Sequence, residues 1–349
     1  TQSDFSLSTG NTYPAIALPW GMNFWTPQTG KMGDGWAYTY GAHQVRGFKQ
    51  THQPSPWIND YGQFSLMPVR GEDKFDEESR ASWFSHQSEV AKPYYYKTYL
   101  ADHDIRVEIT PTERAAMMRF TFPDSKESGV VIDAFDRGSQ VGMVDDRTIV
   151  GYTTRNSGGV PENFRNWFVV RFDTPFSAIE LTDAPGGYKP GSNLLYPEGQ
   201  KSVTGEHAVA KVHFATRRGQ QICASVASSF ISPEQALQNL RELGRDDFET
   251  VKSKAQARWD DVLGRIEVEG GTVDQYRTFY SCLYRSVLFP RKFYEVTDQG
   301  EVVHYSPYNG EVLPGYMYTD TGFWDTFRSL FPLLNLVYPC LLYTSPSPR

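Results

Sequence analysis

The feature that most limits this chain's fold is a change of hydrophobic period near residue 231. Before it, short runs such as "DIRVEITPT", "MMRFTFP", "GVVIDAF", "NWFVVRFDT", "AKVHFAT" and "QICASVASSF" alternate or are β-branched. Gly, Pro, Asn and Asp turns separate them. Many short strands with no helical pattern between them predict an antiparallel sandwich, because parallel strands need helical crossovers. After it, "SPEQALQNLREL" offers Ser232 as an N-cap, Pro233 at the first helical position and Gln235 at the capping-box position. "RDDFETVKSKAQARWDDVLGRI" then spaces Phe248, Val251, Ala255, Trp259 and Val262 along one helical face. A further helix is predicted in "TVDQYRTFYSCLYRSVLFPRKF", with Tyr276, Phe279, Tyr280, Leu283, Tyr284 and Val287 on or near one face and Pro290 ending it. The expected layout is a β + α multidomain chain: a β domain over 1–231, a helical linker over 232–271 and the start of an α domain over 272–339.

Composition narrows the function. A net charge of −7 argues against nucleic acid as a partner, because phosphate-backbone binding needs a surplus of Lys and Arg. No run of about 18 apolar residues is present, so no helix is predicted to span a membrane. The N-terminal "TQSDFSLSTG" has no basic, apolar leader; a signal peptide was cleaved, trimmed or never present. Aromatics reach 15%, which suits a surface that stacks on sugar rings and equally suits a large β-sandwich. The three cysteines are too few and too scattered for a disulfide framework or zinc cluster, and are expected to be small buried hydrophobes.

Two blocks carry the candidate chemistry. In the first, "THQPSPWINDYG" sets His52, Trp57 and Asp60 on one loop stiffened by two X-Pro bonds. A rigid Trp beside a carboxylate is a sugar platform, or else a ring packed under its own loop. The second block, "HYSPYNGEVLPGYMYTDTGFWDTFRSLFP", puts Trp324, Asp325 and Arg328 in a predicted helical turn. An Asp325–Arg328 ion pair there would either orient the carboxylate for a ligand or serve structure alone. Pro332 leaves open one kinked helix or two short ones. Asn163 and Phe164, in the loop "GGVPENFRNW", are further candidates to face a cleft, whereas "VDDR" at 144–147 reads as a solvated turn.

At these blocks the sequence resembles glycoside hydrolase family 92, the calcium-dependent exo-α-mannosidases. The resemblance is carried by "GNTYPAIALPWGMNFW", "GFKQTHQPSPWINDYGQFSLMP", "FYSCLYRSVLFPRKFYEV" and "YTDTGFWDTFRSLFPLL", in that order along the chain. It implies an N-terminal antiparallel β-supersandwich, galactose-mutarotase-like, followed by a helical linker and the first helices of an (α/α)6-barrel. It also implies an inverting exo-α-mannosidase acting on mannose-containing glycans such as mannose-rich N-glycans. That enzyme would be secreted, periplasmic or on the cell surface; its oligomeric state is not implied. The "QTHQPSPW" loop resembles that of α-1,2-directed members. By the same resemblance, Trp57 would wall the leaving-group sugar and Asp325 would bind hydroxyls of the released mannose. Arg328 would support Asp325, with Asn163 and Phe164 lining the same pocket. The family's acid, base and Ca2+ ligands lie beyond "FWDTFR", so no catalytic or metal-binding residue is expected here. The barrel is expected to be truncated, the chain inactive, and "CLLYTSPSPR" at 340–349 a non-native tail. Two alternatives are a non-catalytic carbohydrate-binding β-sandwich and a glycan-releasing amidase resembling peptide-N-glycanase.

Overall fold

The computed structural model describes residues 12–33, 37–55, 59–72, 74–184 and 201–344, with side chains through Leu341. Two antiparallel sheets dominate it. One has six strands in the order Phe24–Gln28, Gly47–Thr51, Ser65–Arg70, Ser125–Asp133, Val209–Thr216 and Ala178–Thr182. The other has nine. Its order is Ser202–Gly205, Ser139–Met143, Thr148–Thr153, Asn166–Phe172, Gln220–Ser229, Ala115–Phe122, Ile105–Pro111, Tyr95–Leu100 and Val90–Lys92. Each strand-like run named from the sequence is a strand here. One core fills the space between the sheets, with Phe48, Leu66, Val130 and Val212 from the first meeting Val107, Phe120, Phe168 and Val226 from the second.

The period of two decides what covers the second sheet. In Ala115–Phe122, Ala116 and Met118 face the inter-sheet core, while Ala115 and Met117 face the other way. That outer face is covered by helices α1 (Pro233–Leu240) and α2 (Phe248–Leu263), through Ala236, Leu240, Phe248 and Val251. The Ser232 hydroxyl caps α1 by accepting from the Gln235 amide N–H at 3.1 Å. The capping box is not completed: the Gln235 side chain instead donates to the Val296 carbonyl and to Asn239. All five apolar residues read from the sequence as one face of α2 are buried.

Helix α3 (Val273–Ser286) differs from its expectation. It carries a full capping box between Thr272 and Gln275, ends four residues before Pro290, and buries only Leu283 along its length. Between 291 and 319 the chain forms short antiparallel ribbons that sequence patterning did not foresee. Tyr294–Val296, Val302–Tyr305 and Val312–Pro314 make a meander, and Arg291–Lys292 pairs with Tyr318–Thr319. Buried Glu295 fastens the meander to the β domain, accepting from the Phe230 N–H at 2.9 Å and the Asn239 side chain at 2.7 Å. Two short helices, α4 (Phe323–Thr326) and α5 (Leu330–Val337), resolve the question raised by Pro332. The break falls at 327–329, and Pro332 sits in the first turn of α5, where no intrahelical N–H is needed. The last described element is α6 (Pro339–Thr344).

A second core forms between the segment before the first strand and the later helices. Ala17, Trp20 and Phe24 pack with Trp259, Val262, Val287, Leu334, Tyr338 and Leu341. The Trp259 indole N–H donates to the Ala17 carbonyl at 2.7 Å, fixing α2 against the N-terminal segment. Two cysteines depart from expectation, Cys282 and Cys340 being exposed, whereas Cys223 is half-buried against the core beneath α1 and α2. Among the described residues no helix is long and apolar enough to cross a membrane. Trp259→Ala removes both the ring and its hydrogen bond from this junction and should cost about 3–5 kcal/mol in denaturant-unfolding measurements. A loss below 1 kcal/mol would show that the junction does not support the fold.

Candidate functional site

The loop after strand Gly47–Thr51 is held by its own carboxylate. Asp60 Oδ1 accepts from the backbone N–H groups of His52 (3.0 Å), Gln53 (2.8 Å) and Tyr61 (2.8 Å), and Oδ2 accepts from the Gln63 side chain (3.0 Å). Asp60 is 3% exposed, so these bonds occupy it and it does not face a ligand. His52 is fully buried, with Nδ1 2.7 Å from the Tyr61 carbonyl and Nε2 3.1 Å from Asn23 Oδ1. Burial, then the Arg291 charge, hold its pKa well below the usual range, so it is a neutral packing group. Gly62 closes the loop at φ 61°, where a Cβ would come within 3.0 Å of Asn166 and 3.2 Å of the Phe230 ring. Between these anchors lies Trp57, which is outside the described residues, as is Trp36.

The loop is clasped to the second block. The Tyr61 hydroxyl donates to Asp320 Oδ2 at 2.8 Å, joining residues 259 apart in sequence. Arg291 reaches the same place, its Nε 3.9 Å from Asp320 Oδ2, while Nη1 donates to the Thr51 and His52 carbonyls. Its guanidinium lies 4.3 Å from the Phe24 ring centroid. Side-chain exposure is 1% for Arg291 and 5% for Asp320. Asp320 adopts φ 63°, a left-handed conformation that Asp tolerates better than most residues. Burial pushes its carboxyl up to about 6, with Arg291 and the Tyr61 bond opposing and Asp60 reinforcing.

Five residues beyond Asp320 lies Asp325. It is exposed in the first turn of α4 and helps to line an open groove of about 1070 Å³ with Tyr13, Lys92, Tyr280, Arg285 and Leu330. Trp324 beside it is 84% exposed. The ion pair expected between Asp325 and Arg328 does not form. Helix α4 ends at Thr326, so the spacing is not held by a regular turn, and Arg328 lies over the Phe327 ring at 5.3 Å. Asn163 and Phe164 are engaged elsewhere. Asn163 donates to the Gly310 carbonyl (2.8 Å) and accepts from the Tyr305 hydroxyl (3.2 Å). Phe164 is buried with Met22, Phe230, Phe293 and Tyr305. Both secure the meander to the β domain. Sequence reading missed Tyr61, Arg291 and Asp320; their only signal was a charged pair within otherwise aromatic stretches.

Two sequence profiles match the chain: the glycosyl hydrolase family 92 N-terminal domain over residues 1–229 and the family 92 catalytic domain over 235–343. An inverting mannosidase of that family from Bacteroides thetaiotaomicron superposes with TM-score 0.92 at 47% identity, covering 99% of this chain and 46% of that one. An α-mannosidase of the same family and organism, solved with mannoimidazole, gives TM-score 0.80 at 27% identity, with 93% and 44% covered. An uncharacterized secreted glycosidase of Arthroderma benhamiae is 27% identical over 318 residues, 81% of this chain and 40% of its own length. The chain thus spans less than half the length of these relatives.

The buried Asp320 sets a pH dependence whose sign follows from its raised pKa. The folded state holds this proton more tightly than the unfolded one, whose value is near 3.8. Stability from this group is therefore full below about pH 4, falls as pH rises, and is lost above about 6, a span of roughly 3 kcal/mol. Asp320→Asn keeps an acceptor for Tyr61 and should remove this slope in unfolding curves taken from pH 4 to 7. An unchanged slope would show that Asp320 is already ionised across the range.

Proposed function

The chain belongs to glycosyl hydrolase family 92, and from that premise we propose that it forms one wall of the sugar site of an inverting, secreted exo-α-mannosidase directed to α-1,2-linked mannose in mannose-rich glycans. The observation that carries this reading is the clasp. It ties Tyr61, in the loop anchored by His52 and Asp60, to Asp320, five residues before Asp325, and Asp325 is an exposed carboxylate lining an open groove. Asp325 then accepts hydrogen bonds from mannose hydroxyls, and Trp57 stacks on the sugar at the leaving side. Asp60 and His52 act one layer beneath, holding the loop rather than the sugar.

Inversion needs a carboxylic acid to protonate the leaving oxygen and a carboxylate to activate water from the opposite face. We assign both to residues outside these 349. Calcium would supply Lewis-acid and templating chemistry in the longer protein. Among the described residues no group of three or more His, Cys, Asp or Glu lies close enough to hold a metal ion, so no ligand is assigned here and no step is derived through the ion.

Two outcomes are expected of this chain alone. It should release no mannose from α-1,2-mannobiose, even with calcium and long incubation; free mannose in the digest would refute the division of labour. It should bind the disaccharide, and Trp57→Ala and Asp325→Ala should each weaken that binding at least tenfold by calorimetry. Binding untouched by either substitution would place the sugar elsewhere.

A further inference from the structure

A row of rings crosses the surface of the β domain at the far end of the strand that leads to His52. Tyr40 stacks on His86 with centroids 4.0 Å apart and planes 13° from parallel. His86 lies 5.8 Å from His43, and His43 lies 6.5 Å from Trp83 with planes 24° apart. Tyr40 is 50% and Trp83 48% exposed, and His43 is exposed as well. A two-stranded ribbon brings the two segments together, pairing Gln44–Val45 with Ser82–Trp83 and setting Gln44 opposite Trp83. At about 3.3 Å per residue, the ribbon is on the order of 20 Å from His52.

The exposed rings rest on a buried polar frame. Glu89 accepts from the hydroxyls of Tyr38 (2.9 Å) and Tyr96 (2.6 Å), and its other contact is His86 Nδ1 at 2.7 Å. His86 Nε2 lies 2.5 Å from the Tyr40 carbonyl, so both ring nitrogens are held and the imidazole beneath Tyr40 is fixed. The Trp83 backbone N–H donates to Asp102 Oδ2 at 2.7 Å, and the Phe84 backbone N–H donates to the His43 carbonyl at 3.0 Å, fixing the ribbon that carries the rings. Aromatic residues used only for packing bury their faces. Here the support is buried, Tyr40 and Trp83 are left half in solvent, and His86 beneath Tyr40 is held at both ring nitrogens before any ligand arrives. Flat, half-exposed rings offer apolar faces to pyranose C–H groups, the Tyr40 ring stacked on a fixed imidazole loses little side-chain entropy on binding, and Gln44 and Asp102 stand beside the row for hydroxyls.

We propose that the Tyr40–His86–His43–Trp83 row, none of whose rings lines the groove beside Asp325, is a second glycan-binding surface that docks pyranose units of an extended mannose-rich chain. The identity of the sugar rests on the mannosidase reading above; the surface itself does not. Affinity electrophoresis of the 349-residue chain through gels containing α-mannan, or a soluble β-glucan, tests it. Trp83→Ala and Tyr40→Ala should each weaken retention by mannan at least fivefold, while Trp83→Phe, which keeps a ring, retains at least half of the retention. Retention that ignores both alanine substitutions, or is absent from the parent chain, overturns the surface. Retention lost with Trp57→Ala but not with Trp83→Ala also overturns it and leaves the groove reading standing. Trp83-dependent retention by β-glucan alone overturns the mannan assignment and counts against the mannosidase reading.

Discussion

The buried contact among Tyr61, Asp320 and Arg291 is the constraint on which the site depends. Ionised groups inside a protein are costly unless paired and hydrogen-bonded. Here one guanidinium answers the carbonyls of Thr51 and His52 while its charge faces Asp320, and Tyr61 gives Asp320 its hydrogen bond. The arrangement joins three stretches that are remote in sequence: the end of a sandwich strand, the ribbon that follows α3 and the turn that precedes α4. Removing Asp320 leaves the Tyr61 hydroxyl without its acceptor and the Arg291 charge without its counter-ion, so the loop and the segment leading to α4 loosen together.

The rest of the architecture presents that contact at an edge. The nine-stranded sheet has an apolar outer face, and α1 and α2 cover it because their apolar residues fall on matching faces. Covering it carries the chain to Trp259, whose bond to Ala17 brings the N-terminal segment and the later helices into one core. Glu295, Asn163 and Phe164 fasten the meander from the other side. The groove beside Asp325 is what these attachments leave open.

Most of the β domain and α2 were legible in the sequence, because strand and helix periods report which face is buried. The five-residue face of α2 is the clearest case. On α3 the same pattern gave the helix but not its surroundings, since amphipathicity does not name the partner, and Leu283 alone is buried. The ribbons between 291 and 319 were illegible because their strands are two to four residues long, too short for a period to register. Site residues fared unevenly for a similar reason. That Asp60 spends both oxygens within its own loop depends on turn geometry, and that Asp320 meets Tyr61 depends on a contact spanning 259 positions. Asp325 was visible as a carboxylate among aromatics; its lack of a pair with Arg328 follows from where α4 ends.

The Tyr61–Asp320 contact couples the loop after Thr51 to the segment that leads into α4. A double-mutant cycle on Tyr61→Phe and Asp320→Ala, read by denaturant unfolding at pH 7, measures that coupling most directly. Non-additivity of at least about 1 kcal/mol is expected, as for residues in one buried hydrogen-bonded network. Effects that add to within about 0.3 kcal/mol would mean the loop and the helix-bearing segment are held independently, and would contradict that coupling.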